Sequence, residues 1–221
     1  MPCTAKKGEA QRAEMEDHDS ARDVDVVITT REFAKLVKMN NINFAALPGG
    51  QDYDSFMGKG SSAGRLFGTS GGVMEAALRT VATVLSDEKV GVLEFEEIRG
   101  FENVKETTVE IGEHKLKLAV VNGIGSAHSL MEGIKSGSLY YDFVEVMACH
   151  GGCISGGGAP IPDNMDIRRQ RMEGMHGFDK TSSLRRSHDN PEIKRLYENY
   201  LEDPCGHKSH HLLHTKYSDK S

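Results

Sequence analysis

The chain has 221 residues, of which 27% are charged and 38% hydrophobic, and its formal net charge is -6. This net charge gives no electrostatic reason to expect a nucleic acid or an acidic lipid as a partner. The amino terminus is polar and no apolar run reaches the ~18 residues that a membrane span requires, so neither a span nor a signal peptide is predicted. Four cysteines at this length indicate reduced thiols in a cytoplasmic compartment, available for metal or redox chemistry.

The first predicted elements are a buried strand at 23–30, DVDVVITT, and the helix REFAKLVKM, for which Thr30 is the predicted cap. Residues 46–72 are rich in glycine, serine and polar side chains, and a loop of this length is usually either functional or disordered. A helix is predicted to begin directly after its last glycines, at Val73, because the apolar residues of VMEAALRTVATVL fall on one face.

The middle of the chain predicts strands at VGVLEFEEI, TTVEIG and KLKLAVVNG, with the last two forming a hairpin around 112–114. A short helix, HSLMEGIKSG, and a strand, YDFVEVMA, follow, and this strand delivers Cys149 to its end. The alternation predicts an α/β fold with a mostly parallel sheet flanked by helices, whose ligands collect at the carboxyl ends of the strands. From Asn164 onward the sequence predicts a helical segment, in which Pro191 begins a helix.

The segment MACHGGCISGGGAP contains two of the four cysteines, Cys149 and Cys153. Their i, i+4 spacing places both sulfurs on one side if the segment forms a helical turn. Taken alone, the pair is equally compatible with buried free cysteines or with a simple glycine-rich turn. The surrounding glycines favour a bulky ligand that the backbone approaches closely. A third thiol, Cys3, has Lys6 one helical turn later, which brings a positive charge to an anionic centre.

Three motifs together resemble the large catalytic subunit of the iron-only (FeFe) hydrogenases: MPCTAKKGEA, FGTSGGVMEAALRT and MACHGGCISGGGAP. The tail RRSHDNPEIKRLYENYLEDP with KSHHLLHTKY resembles the small-subunit region of the same enzymes, so the resemblance covers nearly the whole chain. It implies a partial catalytic domain at 1–163 and a small-subunit-like helical region at 164–221. The implied activity is the interconversion of protons, electrons and H2, with ferredoxin or a similar electron carrier as partner.

The resemblance implies a cofactor, the H-cluster, in which a 4Fe-4S cluster is bridged to a two-iron unit with CO, cyanide and dithiolate ligands. Cys3 and Cys149 match ligands of the 4Fe-4S cluster, and Cys153 matches the bridging thiolate. Lys6 matches a residue that hydrogen-bonds a cyanide, so Lys6 and Cys153 are the expected catalytic residues. The expected lining of the pocket consists of Met1, Pro2, Phe67, Gly68, Val73 and Met147. An apolar lining would keep water from the metal, and its glycines would leave clearance for the cofactor.

The sequence departs from the family pattern in one major respect, because the family motif TSCCP, which supplies the remaining cluster ligand and a proton-donating cysteine, does not occur. We therefore expect a partial catalytic domain and no hydrogenase activity from this chain alone. A minor departure places His150 and Ala159 where proline and glutamine are usual. The resemblance also implies hydrogenase maturation proteins as partners, whereas neither nucleic acids nor membranes are expected to bind. If the organism is a eukaryote, the hydrogenosome is the alternative to a cytoplasmic location.

Two other functional classes compete with this interpretation. One is a non-catalytic relative of the hydrogenases that serves iron–sulfur cluster assembly. The other is a zinc-stapled domain in which Cys205 joins the other three thiols. The tail also contains a histidine cluster in which His210 and His214 have the spacing of a zinc helix, although a histidine-rich amphipathic tail is the more common case.

Overall fold

The computed structural model describes residues 2–16, 21–85 and 94–218, so Met1 lies outside the described residues. The chain forms two compact units: the first contains Met1–Lys59, Gly157–Ile161 and Pro191–Ser221, and the second contains Gly60–Gly156 and Pro162–Asn190. The helices are α1 (Lys6–Glu9), α2 (Thr30–Met39), α3 (Ser62–Leu66), α4 (Gly72–Leu85), α5 (Ile124–Lys135), α6 (Met165–Thr181), α7 (Pro191–Leu196) and α8 (His207–Leu213). The strands are β1 (Val104–Ile111), β2 (His114–Asn122) and β3 (Phe143–Met147). The sequence-based division at 163/164 stays a prediction.

The second unit is built on a three-stranded sheet in the order β1-β2-β3. Strands β1 and β2 form an antiparallel hairpin whose turn contains Gly112 at φ +58, while β2 and β3 run parallel. The central strand β2 ends in five consecutive buried residues because both faces of the sheet are covered. One face packs on α4 through a cluster that contains Leu118, and the other packs on α5 through Ala119 and Val121. Burying Leu118 contributes about 1.5–3 kcal/mol.

A buried ionic network joins α4 to α6 in the same unit. The Arg79 guanidinium donates to Asp179 at 2.8 and 2.7 Å and to Glu75 at 2.9 Å. Glu75 also pairs with Arg99 at 2.7 Å, and Asp179 with Arg185 at 2.7 Å. Because the charges satisfy one another, removing one member would leave an unpaired charge inside the protein.

The first unit contains α1, α2, α7 and α8. Thr29 caps α2 through a capping box: its hydroxyl accepts from the Glu32 N–H at 3.2 Å, and the Glu32 carboxylate accepts from the Thr29 N–H at 2.7 Å. These bonds, together with Lys7, lower the pKa of Glu32 to about 2. The helix α7 begins at Pro191, as predicted, and a π-helix at Tyr197–Leu201 follows it.

The predicted α/β class is confirmed, with helices around a small sheet. The sheet is mixed and not mostly parallel, because β1 and β2 form a hairpin and only β2 and β3 run parallel. The hairpin, the helix after the glycine-rich loop and the strand before Cys149 are also confirmed. The strand predicted at 23–30 is wrong, because no described strand pairs with it and Val26 is 73% exposed. The strand predicted at 90–98 lies partly outside the described residues, and its described end is a 3-10 turn at Glu96–Ile98. No helix in the described ranges combines the length and the apolar character needed to cross a bilayer.

Candidate metal centre

The cysteine pair lies on a turn that directly follows β3. The Gly152 N–H donates to the Cys149 carbonyl at 3.0 Å, and a short 3-10 turn begins at Cys153. Gly151 and Gly152 have φ values of +85 and +88, so the segment between the cysteines does not form a helical turn. Left-handed glycines reverse the chain where a helix would continue it. Both cysteines are half-buried and neither is in a disulfide.

The turn packs against the loop that contains the second motif. The Ser70 N–H donates to the Gly151 carbonyl at 3.1 Å, and the Ile154 N–H donates to the Gly68 carbonyl at 3.0 Å. A Cβ on Gly152 would lie within 3 Å of the backbone of residues 68–70. The two motifs, separated by about 80 residues in the sequence, therefore form one continuous wall in the second unit.

Two asparagines fix the turn from the sheet side. Asn122, at the end of β2, accepts the Gly151 N–H at 3.0 Å and donates to the Glu102 carbonyl at 2.7 Å. Asn103 lies 2.8 Å from Nε2 of His150, the residue that stands where the family usually has proline. Sequence reasoning missed Asn122, although a polar residue at the carboxyl end of a buried strand is a recognisable signal.

A buried carboxylate, also missed, connects β3 to α4. Oε1 of Glu145 accepts the Gly71 N–H at 2.7 Å, and Oε2 accepts the Met74 N–H at 2.8 Å. Burial raises the pKa of Glu145, and the backbone bonds oppose that rise. The predicted lining residues Val73 and Met147 are half-buried on the two elements that Glu145 joins.

The surroundings of Cys149 and Cys153 include two arginines of α6. Arg168 pairs with Asp163 at 2.7 Å, and this bond, followed by the charge of Cys149 as a lesser cause, raises the pKa of Arg168. Arg171 donates to the Ile154 carbonyl at 2.8 Å and so holds α6 against the turn that follows Cys153. Both arginines thus belong to the polar surroundings of the cysteine turn.

The remaining predicted site residues belong to the first unit. Cys3 is half-buried just before α1, and the Pro2 carbonyl accepts the Gly158 N–H at 2.7 Å. The Lys6 ammonium forms an ion pair with Glu9, so a new anionic partner for Lys6 would have to compete with Glu9. A site that combines Cys3 with the two cysteines of the second unit stays a prediction.

The donor chemistry fits an iron–sulfur group in kind, because three half-buried thiols, none in a disulfide, stand at the matched positions. The set of thiols is one ligand short, because a 4Fe-4S cluster takes four ligands. Within the part of the chain that the structure describes, no three histidine, cysteine or acidic side chains are arranged to hold a metal ion. Neither the zinc-stapled alternative nor the histidine cluster is therefore assembled there.

The tail histidines lie instead along a surface cleft of about 540 Å³ in the first unit. The rings of His210 and His214 stack in parallel with centroids 4.3 Å apart. Cys205, which lines the same cleft, is exposed.

Comparison with known families gives two matches along the chain. The family "Iron only hydrogenase large subunit, C-terminal domain" matches residues 1–157, and "Iron hydrogenase small subunit" matches residues 165–220. The chain belongs to the iron-only hydrogenase family. The resemblance inferred from the three motifs is thereby confirmed.

Relatives of two kinds cover 98% of the chain. It is 43% identical over 218 residues to the NADP-reducing hydrogenase subunit HndD of Solidesulfovibrio fructosivorans, covering 37% of that protein. It is 43% identical over 225 residues to iron hydrogenase 1 of Clostridium pasteurianum, covering 38%. It is 30% identical over 232 residues to protein NAR1 of Arabidopsis thaliana, covering 48%. The chain thus spans less than half the length of these relatives.

Solved structures of FeFe-hydrogenases are similar to this chain as well. A variant of FeFe-hydrogenase HydA1 from Chlamydomonas reinhardtii superposes with a TM-score of 0.77 at 40% identity, covering 98% of this chain and 61% of that one. The apo form of another HydA1 variant gives a TM-score of 0.78 at 39% identity, with the same coverage. Family membership thus supports an oxidoreductase that uses iron–sulfur chemistry.

Proposed function

We propose that this chain supplies part of the H-cluster site of a ferredoxin-type iron-only hydrogenase, which catalyses the reversible reaction of two protons and two electrons to H2. The observation that carries the proposal is the contact between the FGTSGG and MACHGGC segments. The bonds from Ser70 and Ile154 hold two half-buried thiols, neither of them in a disulfide, beside the segment expected to line the cofactor pocket. A cluster that is held by thiolates on one of its sides requires such a continuous protein surface there.

The proposed ligands are thiolates. Cys3 and Cys149 would each hold an iron of the 4Fe-4S cluster, and Cys153 would bridge that cluster to the two-iron unit. When bound, the two-iron unit supplies the site at which protons and electrons combine. Arg168, whose guanidinium pairs with Asp163 in the surroundings of Cys149, would offset part of the negative charge that the thiolates bring.

The other proposed residues bind and shield the cofactor. Lys6 would break its ion pair with Glu9 and donate a hydrogen bond to a cyanide. The apolar lining would exclude water and keep a coordination position accessible to hydrogen. Its proposed members are Met1, Pro2, Phe67, Gly68, Val73 and Met147.

A complete site needs residues beyond those of this chain. The TSCCP motif of the family does not occur among the 221 residues, so the fourth cluster ligand and the proton-donating cysteine have to come from elsewhere. Insertion of the two-iron unit would require hydrogenase maturation proteins, and electrons would come from ferredoxin or a similar carrier. A cytoplasmic location is part of the same proposal.

A second candidate function follows from the more distant relatives. The chain is 30% identical to NAR1 and also 30% identical to cytosolic iron-sulfur assembly component 3 of Mus musculus. In this alternative the chain holds an iron–sulfur cluster without CO or cyanide and makes no H2. Lys6 favours the hydrogenase, because a plain cluster gives this ammonium no cyanide to bind.

The test is H2 evolution from the full coding sequence that contains this chain, expressed with the maturation proteins and supplied with reduced ferredoxin. We expect Cys153→Ser to abolish H2 evolution and Cys205→Ser, a matched change at an exposed cysteine, to leave it intact. No H2 from the iron-loaded wild type, or equal rates for the two variants, would overturn the proposal.

A further inference from the structure

Glu145 is the only member of β3 whose side chain is buried, and its carboxylate is bonded to the start of α4. The residue is 5% exposed, and each carboxylate oxygen accepts one backbone N–H, from Gly71 and from Met74. The first turn of a helix stabilises a negative charge, so the carboxylate is compatible with its buried position.

The two elements that Glu145 joins both carry residues of the proposed pocket. Val73, in the first turn of α4, lies between the two bonded residues, Gly71 and Met74. Met147 is two residues beyond Glu145 in β3 and therefore faces the same side of the strand, and Cys149 follows two residues later. The bonds thus connect the segment 71–74 directly to the strand that ends at the cysteine turn.

A carboxylate is a costly choice for structural stability alone. Burial disfavours its charged form, and an apolar side chain of similar size would often stabilise a core as well or better. The carboxylate instead fixes the relative position of two elements, because its two oxygens accept hydrogen bonds from two specific backbone amides of the neighbouring segment. An apolar contact at the same place would allow the helix to slide.

We infer that Glu145 is a positioning residue of the proposed metal centre, which fixes Val73 and the start of α4 against Met147 and Cys149. The inference rests on the proposed function for its consequence at the cofactor, although the bonds themselves are features of the fold. Glu145 touches no reacting group, so its effect on the cofactor passes through the residues that it holds in place.

The first test needs no cofactor and compares Glu145→Gln with Glu75→Gln by hydrogen exchange. Glu75 is a matched control because it is equally buried and lies on α4, but its partners are Arg79 and Arg99. A glutamine at 145 presents an amide N–H to a backbone N–H and so loses one bond outright. We expect amide exchange in 147–153 to be about tenfold faster in Glu145→Gln than in Glu75→Gln. Equal exchange in this segment would overturn the inference.

The second test uses the full coding sequence after maturation and records the infrared bands of CO and cyanide. We expect these bands to shift or broaden in Glu145→Gln and to match wild type in Glu110→Gln, a change at an exposed glutamate of β1. Glu145→Asp should be closer to wild type than Glu145→Gln. Wild-type bands in Glu145→Gln would overturn the inference while leaving the proposed function intact. A wild type without such bands would refute the proposed function, and the exchange comparison would then still decide whether Glu145 fixes the two segments.

Discussion

Gly152 approaches Ser70 so closely that a Cβ atom on Gly152 would lie 2.8 Å from the backbone nitrogen of Ser70. The same atom would lie 2.8 Å from the carbonyl carbon of Thr69. These neighbours are backbone atoms, which cannot rotate away, and Gly152 also has a φ of +88. The turn between the two cysteines can therefore pack on the FGTSGG loop only when residue 152 has no side chain.

Replacing Gly152 by alanine should destabilise the second unit by at least about 2–3 kcal/mol, through the left-handed backbone and the collision with residues 69–70. Urea unfolding measures the loss. The matched control is Gly174→Ala in α6, where a Cβ meets nothing within 4 Å, and this change should stabilise the helix by about 0.5–1 kcal/mol. Equal effects of the two substitutions would show that the close contact does not exist.

Asp179→Asn should destabilise the protein by about 3–5 kcal/mol at pH 7, because it leaves the buried Arg79 charge without its main partner. Burial alone would raise the pKa of Asp179, but the bonds from Arg79, Arg185 and Ser62 outweigh it and lower the pKa. The stabilisation is therefore fully present above the ordinary carboxyl pKa of about 3.9 and is lost as the pH falls below it.

The measurement is urea unfolding of wild type and Asp179→Asn between pH 3 and pH 7, and the difference between them should shrink toward pH 3. Asp166→Asn is the control on the same helix, since its exposed pair with Arg169 should contribute less than about 0.5 kcal/mol. A difference that is constant with pH would contradict the ionic network as described.

His176→Leu should stabilise the protein at pH 5 by about 1–2 kcal/mol more than at pH 7.5. The imidazole is buried, and within the described residues neither ring nitrogen has a hydrogen-bond partner. Burial and then the charge of Arg99 lower the pKa of His176, so the unfolded chain takes up the proton first as the pH falls below about 6.5. Stability is consequently lost on acidification in wild type only.

Urea unfolding at the two pH values checks this expectation. His128→Leu, a change at an exposed position of α5, serves as the control and should show no such difference. A pH-independent effect of His176→Leu would mean that the pKa of the ring is the same in the folded and unfolded protein, so that burial does not lower it.

The sequence predicted those elements whose signal is local. The hairpin β1–β2 and the helix after Gly72 follow from periodicity and turn residues within one segment. The stretch 23–30 has the composition of a strand, but a strand also needs a partner, which composition cannot specify. The cap of α2 was placed one residue too late, although Thr29 and Glu32 have the spacing of a capping box.

The sequence motifs pointed to the cysteines of the candidate site but not to the residues that hold the cysteine turn in place. Cys149 and Cys153 were found from the motif that contains them. The roles of Asn122 and Glu145 depend on residues about 30 and 70 positions away in the sequence, so only the packed sheet shows them. Gly151 and Gly152 were interpreted as clearance for a cofactor, whereas the structure shows that they clear the Phe101 ring and the backbone of residues 68–70.

Infrared spectroscopy of the matured full-length protein shows directly whether a two-iron unit with CO and cyanide ligands is bound. The account predicts CO and cyanide bands in wild type and in Cys205→Ser, and no such bands in Cys153→Ser, because Cys153 is the proposed bridge to the two-iron unit. A wild-type protein that contains iron and sulfide but shows no CO or cyanide bands would contradict the account and would favour the iron–sulfur assembly alternative.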